Sequence, residues 1–489
     1  MGRYLLLALA FCLGSSSTLA RTGQQPRPTV VVAPLTSSGA EEHGWIGDAF
    51  AESLSSRLLS SGSANVLSQR QWAAALRERN IAALDVKGDA DARVVGQRLG
   101  ADLVVVGSYM AAWPDVTVWV RLVPVAGGEA VASAEARGHL EELPRLEAQL
   151  AKQLFRAELG KAAAARGAPR NVYAWHSLTR CTSALSLQSL GPRARPWLPR
   201  AMVEQAVAAC DEALRRDKSL LEAESFRALG LALLGETTKA RLVARGAARR
   251  AKTPGWPHLI AYYTAHAAGD DVEAESYLAA AIKQRPGFLH AHTTLGEAQL
   301  DRGALAEARA TFEGSLRECP RQPWTQVQLS KVLGREGKID DALARLDEAL
   351  IQVPGDPLLL LEKGSRYIDG KRWDDAERTL RASMEQDPRI AATYLRLGYV
   401  YLEQDKRELA GAILQKALVE ADLESEARVR GYAHFDLAKL HARQGNKTKA
   451  TEHLKLAAEA GFADKNSVVH DSDLAILADD PEVSALLQP

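Results

Sequence analysis

His266, His290 and His292 lie near one another in the chain, but their spacing matches no recognised pattern of metal ligands. His470-Asp471-Ser472-Asp473 holds the atoms of a nucleophilic triad in adjacent positions, from which a proton relay cannot assemble. Asp471 or Ser472 more simply caps the last helix. Gly107-Ser108 and Asp48 have no general base or nucleophile at a motif spacing. Neither G-x-G-x-x-G nor a phosphate-binding loop occurs. Arg241, Arg245, Arg249 and Arg250 form a basic stripe on one helix, the usual mark of a solvated face. These residues point away from an enzyme and imply no cofactor and no metal.

Composition narrows the classes further. The 489 residues include 61 Lys plus Arg and 61 Asp plus Glu, so the formal net charge is zero. A balanced chain gains no bulk attraction to nucleic acid, and no nucleic-acid partner is expected. The length exceeds one compact core and calls for two or three domains. Residues 1–20 read as a secretory signal: Arg3, the apolar run Tyr4 to Leu13, then Thr18-Leu19-Ala20 before Arg21. That run is too short to span a bilayer, and no other apolar run reaches membrane length. Export to the periplasm or the outer-membrane region is expected, with no transmembrane segment. Phe11 precedes Cys12 and the apolar run before it is short, so lipidation is not expected. Cys181, Cys210 and Cys319 remain after the signal. Cys181 and Cys210 fall on neighbouring helices, where two buried thiols are slightly favoured over a single bridge.

Residues 27–160 alternate between strand and helix signals. Thr29 to Leu35 is a β-branched run suited to a buried strand. Trp45, Ile46, Phe50, Leu54, Leu58 and Leu59 have helical spacing, as do Trp72, Ala75 and Leu76 within 69–79. Asn65 to Leu67 is a short strand. A helix over 89–99 should stop at Gly100. Ala101 to Met110, Val116 to Val123 and Ala130 to Gly138 are strands, with a turn at Val125-Ala126-Gly127-Gly128. Pro124 should end its strand, and a helix runs out over 141–164. A mixed α/β layer follows. The blocks WIGDAFAESLSSRL, VLSQRQWAAALRE, VGQRLGADLVVVGSY and VRLVPVAGGEAVASAEARG resemble the TolB amino-terminal, FlgO-like and CsgG-like domain group. The resemblance implies a non-catalytic cell-envelope domain that mediates protein contacts. There is no room for the membrane hairpins of the secretion-pore members.

From 171 to 470 the chain repeats. Ala206, Ala240, Ala274, Ala308, Ala342, Ala376 and Ala410 recur every 34 residues, and Ala450 follows after 40. Pro286, Pro320, Pro354 and Pro388 keep the same step. Small residues at the eighth and twentieth places let two helices lie close. Leu278, Phe312, Leu346, Leu380, Leu414 and Leu454 fill the gap between them, and proline ends the second helix. Turn glycines sit between helices, as in Arg302-Gly303, Glu336-Gly337 and Asp369-Gly370. The second hairpin departs, with Arg227-Ala228 where Leu-Gly is expected, and Gly191 to Trp197 is an inserted loop in the first. The period and its residues are identified as the tetratricopeptide signature. The fold class is therefore an α/β amino-terminal domain with a mixed sheet and helices, followed by an all-α superhelix of eight hairpins. A capping helix is expected over 471–489.

The resemblance implies a concave groove lined by the first helix of each hairpin. Ligand contacts are expected at or near Trp256, Tyr263, His266, His290, Glu297, Trp324, Lys331, Arg335, Arg396, Tyr432, Phe435, Lys439 and Arg443. Aromatic rings among cations suit a protein or peptide ligand. A carboxylate clamp would need Asn at the sixth place, which holds Phe226, Ile260, Thr294, Gln328, Glu362, Arg396 and Asp436. Two functions stay open: a cell-envelope adaptor holding a protein or peptide, and a sensor of a small molecule or cell-wall fragment.

Overall fold

The structure is a computed structural model and describes residues 27–38, 43–67, 86, 88–156, 159, 169, 171–185, 198–253, 255–421, 427–462, 468, 470–477 and 483. The signal, the helix expected over 69–79, the loop over 191–197 and most of the tail lie outside these residues. Strands β1 (Thr29–Val32), β2 (Thr36–Ser37), β3 (Asn65–Leu67), β4 (Leu103–Ala112), β5 (Asp115–Pro124) and β6 (Ala132–His139) form one sheet in the order β3-β1-β4-β5-β6. β1 runs parallel to β3 and β4, β2 pairs with β4, and β4-β5-β6 is an antiparallel meander. All four residues of β1 are buried, as a β-branched central strand requires.

Helices α1 (Trp45–Ser61) and α3 (Leu143–Phe155) cover one face, and α2 (Asp89–Leu99) covers the other. Val116, Val118, Val120 and Leu122 share the α1/α3 side, while Val123 joins the α2 side. Gly100 ends α2 in the left-handed region at φ 65°. Gly127 and Gly128, at φ 105° and 97°, make the β5–β6 turn. Between α1 and α3 lies a fully buried ion pair. Arg57 Nε and Nη2 donate to Glu147 at 2.7 and 2.6 Å, and Ser53 Oγ donates to the same carboxylate at 2.8 Å.

Sixteen helices follow among the described residues, as eight antiparallel pairs. They are α4 (Val172–Ala184) with α5 (Arg200–Arg216), α6 (Leu221–Leu233) with α7 (Thr237–Arg250), α8 (Trp256–Ala267) with α9 (Asp271–Gln284), and α10 (Leu289–Asp301) with α11 (Leu305–Glu318). Then come α12 (Pro323–Arg335) with α13 (Ile339–Gln352), α14 (Pro357–Asp369) with α15 (Trp373–Gln386), α16 (Ala391–Glu403) with α17 (Arg407–Glu420), and α18 (Ala427–Arg443) with α19 (Lys447–Glu459). The periodic alanines and the bulky residues four places after them are all buried. The close approach is literal. A Cβ on Gly296, Gly364 or Gly398 would fall 2.5 to 2.6 Å from Phe312, Leu380 or Leu414 of the paired helix. In the second hairpin Ala228 is buried at the same place, so the departure from Leu-Gly keeps the small side chain. In the sixth pair Gly370 sits in the turn as expected, and the left-handed residue there is Lys371 (φ 53°).

Cys181 and Cys210 are joined by a disulfide between α4 and α5, contrary to the reading that favoured two thiols. Packing of the two helices brings the Cα atoms to 5.0 Å, within bridging range. Cys319 is free and buried. Closing a separation of 29 residues is worth about 3–4 kcal/mol by loop entropy. The Cys181→Ser/Cys210→Ser variant should lose that much in urea unfolding. Thiol titration of the unfolded, unreduced chain without its signal should find one thiol, and three would refute the bridge.

The α/β domain is seated on the solenoid, along the turns that join one hairpin to the next. Trp175 of α4 enters the domain core, 5.4 Å from Phe50 and 6.3 Å from Trp45 between ring centroids. Arg285 Nη2 donates to Ala64 O at 3.1 Å, and Gln322 Nε2 donates to Gly100 O at 3.4 Å. Asn65 Nδ2 donates to Glu318 O at 3.5 Å and Gln97 Nε2 to Gln352 O at 3.3 Å. Arg321 pairs with Asp102 at 3.2 Å. Arg98 faces the next turn, lining a cleft of about 360 Å³ with residues 353–358 and 386–389.

Candidate functional site

The periodic fold puts equivalent places of successive first helices in register. The structure divides the expected groove residues into groups with different duties. Trp256 lies at the domain junction. Its ring meets Phe226 at 5.6 Å and His290 at 6.0 Å, and it lines a cleft of about 200 Å³ with Glu52, Ser55, Ser56 and Leu59 of α1. Burial pushes the His290 imidazole down to about 4, and its Nδ1 is buried without a hydrogen-bond partner among the described residues. These two residues therefore belong to the edge under the α/β domain, which corrects their expected place in an open groove. Tyr263 is half-buried and rests edge-on against Tyr262 at 5.0 Å. His266 stacks on Tyr262 near the end of α8, and its Nδ1 lies 2.5 Å from Asp271 at the start of α9.

Further along, the ninth-place side chain of one hairpin reaches the sixth-place side chain of the next. Gln328 donates to Glu297 at 2.5 Å, and Lys331 pairs with Glu362 at 3.0 Å while lying 5.3 Å over the Trp324 ring. The thirteenth-place arginines have another task. Arg335 Nη1 donates to Leu300 O at 2.6 Å, and Arg443 donates to Leu402 O, the equivalent next-to-last carbonyl of the preceding first helix. Such carbonyls have no partner within their own helix. Arg443 also pairs with Glu403 at 3.0 Å. Lys331 and Arg335 are thus engaged within the stack itself, where free ligand-facing cations were expected, while Arg443 also reaches Asp473 beyond the repeats. Arg396 is exposed.

The last hairpin holds the densest cluster. Phe435 stacks on Phe462 at 4.6 Å, and Tyr432 meets Phe462 edge-on at 5.1 Å. Lys439 is buried, with its ammonium 5.7 Å over Tyr399 and 5.9 Å over Phe435. Its charge is met from outside the repeats, by Asp471 at 3.0 Å and Asp473 at 3.8 Å, and Asp473 also binds Arg443 at 2.8 Å. Burial pushes the Lys439 ammonium down, but Asp471 pulls it back above its ordinary value. Burial raises the neighbouring Asp436 carboxyl to about 7. Sequence reasoning missed Asp471 and Asp473 as partners of this cluster. It also missed the part played by Tyr399 and by the sixth-place Glu362 and Gln328.

The remaining candidates resolve into local pairs. His292 Nε2 and Nδ1 face Pro286 O and Thr311 O at 2.7 and 3.2 Å. In the basic stripe, Arg241 binds Asp270 and Glu273, Arg245 lies 3.6 Å from Glu273, and Arg250 binds Glu224. Among the described residues no group of three or more His, Cys, Asp or Glu side chains is placed to hold a metal ion. No described helix is long and apolar enough to cross a membrane. Burial raises the Cys319 thiol to about 12, which keeps it unreactive.

His434 sets a pH limit. Burial first, then His453 and Arg430, push it down to about 4, with its Nδ1 3.1 Å from His453 Nδ1. The unfolded imidazole takes its proton near pH 6.5, before the folded one does. Stability is therefore fully present above about pH 6.5 and falls as pH drops toward 4. Asp436 acts in the opposite sense, since its raised value costs stability as pH rises through about 7. Melting curves should show Asp436→Asn gaining stability over the parent at pH 8, more than at pH 5, and His434→Gln losing the steep acid limb. An unchanged pH profile in both variants would refute this assignment.

These features define a helical-repeat protein carrying a docked α/β domain. Its repeats are tetratricopeptide repeats: the profile of that repeat matches residues 265–323 and 335–397. A curated relative, cellulose synthase operon protein C of Pseudomonas fluorescens (strain SBW25), is 32% identical over 88 residues, covering 18% of this chain and 7% of that protein. The chain thus spans only a small part of that relative. Among solved structures, MamA from Desulfovibrio magneticus RS-1 is 22% identical, with 35% of this chain and 94% of that chain covered and a TM-score of 0.29. Yeast Tom70 is 17% identical over 59% and 61% of the two chains, with a TM-score of 0.44. YrrB, described as a TPR protein with an unusual peptide-binding site, is 21% identical over 36% and 91%, with a TM-score of 0.29.

Proposed function

We propose that this chain is an exported, non-catalytic scaffold of the bacterial cell envelope that holds a protein or peptide on the first helices of its solenoid. One observation carries the reading: the eighth hairpin clasps an acidic, leucine-bearing stretch of chain through Lys439, Arg443 and Phe435. A surface that holds one such segment has the chemistry to hold another. The amino-terminal domain, similar in its sequence blocks to the TolB, FlgO-like and CsgG-like group, uses one side to seat on the solenoid. The side left for an envelope component carries the β4–β5 hairpin, where Trp113 is 70% and Met110 49% exposed.

The test is affinity capture of envelope proteins by the chain beginning at Arg21, beside Arg396→Glu and Trp113→Ser variants. A partner lost with Arg396→Glu belongs to the solenoid, and one lost with Trp113→Ser belongs to the hairpin. Capture of nothing by the parent would sink the scaffold reading. The sensor reading draws on the 200 Å³ cleft beside α1, which Trp256, Ser56, Glu52 and Lys252 line. It requires a rise in melting temperature with a sugar or metabolite, because a ligand of the native state alone adds stability.

A further inference from the structure

The tail of the chain treats the last hairpin as a receptor. Residues Ser472–Leu477 form a short 3-10 helix lying on α18. Asp471 accepts the Asp473 backbone N–H at 2.9 Å, which turns both carboxylates toward Lys439 and Arg443. Leu474 and Leu477 complete an apolar cluster with Phe435, Ala438, Ala442 and Val483. Lys439 of the eighth hairpin pairs with Asp471 at its ninth place, where Lys331 of the fifth pairs with Glu362. The tail thus stands where the first helix of a further hairpin would stand. It does so with a few charged contacts and two leucines, whereas a full first helix such as α16 buries nine of its thirteen residues.

Resting on the scaffold reading, we infer that the segment 471–477 is a displaceable occupant of a binding site on α18, and that the partner displacing it carries an acidic Asp-x-Asp-Leu-x-x-Leu segment. The recognition chemistry is written in the seated occupant. Two carboxylates two residues apart meet one ammonium and one guanidinium, and leucines three apart join the apolar cluster of Phe435, Ala438 and Ala442. With the tail lifted, Lys439 and Arg443 stand over the aromatic floor of Phe435 and Tyr399. Such a surface favours an anion with an apolar flank. The tail then acts as a tethered competitor, whose high effective concentration keeps weak acidic peptides out.

The test uses a fluorescent peptide of residues 468–483 and the full chain. The Asp471→Asn/Asp473→Asn/Leu474→Ser variant should bind the peptide at least tenfold more tightly than the parent, and adding Lys439→Met should abolish the gain. Equal binding by parent and variant overturns the inference. Hydrogen exchange on the parent guards against a variant that misfolds. Amides of 471–477 should exchange faster than those of α18 and faster still with added peptide. Exchange in step with α18 would make the tail a fixed cap and overturn the proposal. Concentration-dependent dimers of the parent, lost with Asp471→Asn/Asp473→Asn, would assign the occupant to a second copy and overturn the partner assignment. Peptide binding without any captured envelope protein would count against the scaffold reading alone.

Discussion

Trp175→Ala should lower stability by about 3–5 kcal/mol, the cost of truncating a large buried aromatic. Trp175 is 2% exposed, and it belongs to the first solenoid helix while its ring completes the α/β core. The cavity would open at the junction itself. The loss should therefore appear twice: as a lower urea midpoint, and as new proteolytic cleavage between the domain and the solenoid. Trp175→Phe, which keeps a ring against Phe50 and Trp45, should recover most of both. A Trp175→Ala chain with the parent's midpoint and cleavage pattern would show that the ring does not rivet the two units together.

The second large effect is electrostatic. Glu147 is fully buried, and its removal takes away the carboxylate that Arg57 Nε and Nη2 and Ser53 Oγ share. Breaking such a pair on one side costs about 3–5 kcal/mol, whereas replacing both partners by apolar residues is often neutral or favourable. Glu147→Ala should thus be far worse than Arg57→Met/Glu147→Met, and the contrast excludes simple loss of volume. If the double variant were as unstable as the single, the pair would be a net source of stability.

The solenoid was legible because its constraint repeats. Ala274, Ala308 and Ala342 meet one packing demand at one spacing, and the glycines at 296, 364 and 398 meet Phe312, Leu380 and Leu414 in the same way. Periodicity exposes such a demand in a single chain. The sheet was legible from β-branched runs and from the glycine turn at 127–128. Seating of the domain on the turns was not legible. Its bonds end on the carbonyls of Ala64, Gly100, Glu318 and Gln352, and a carbonyl leaves no trace in residue type. Arg285 and Gln322, which make two of them, belong to no motif in the sequence and are buried in the structure. The groove candidates fall on the first helices, and some of them bind within the stack. Arg335 and Arg443 occupy a ligand-contact place but serve the carbonyls of Leu300 and Leu402. The disulfide depended on the register of α4 against α5, which residue spacing across an insertion does not set.

The α/β domain lies across turn after turn, from Trp175 to the turn beyond Gln386. A stack of hairpins on its own behaves like a coil spring, because each junction yields a little under load. Here a stiff plate is fastened along one edge of the coil, so the first six hairpins cannot lengthen or unwind independently of it. The compliance of the molecule is left to the seventh and eighth hairpins, where the acidic tail is seated. Tension delivered by a partner at that end would be spent on opening the tip, while the clamped stem keeps its shape.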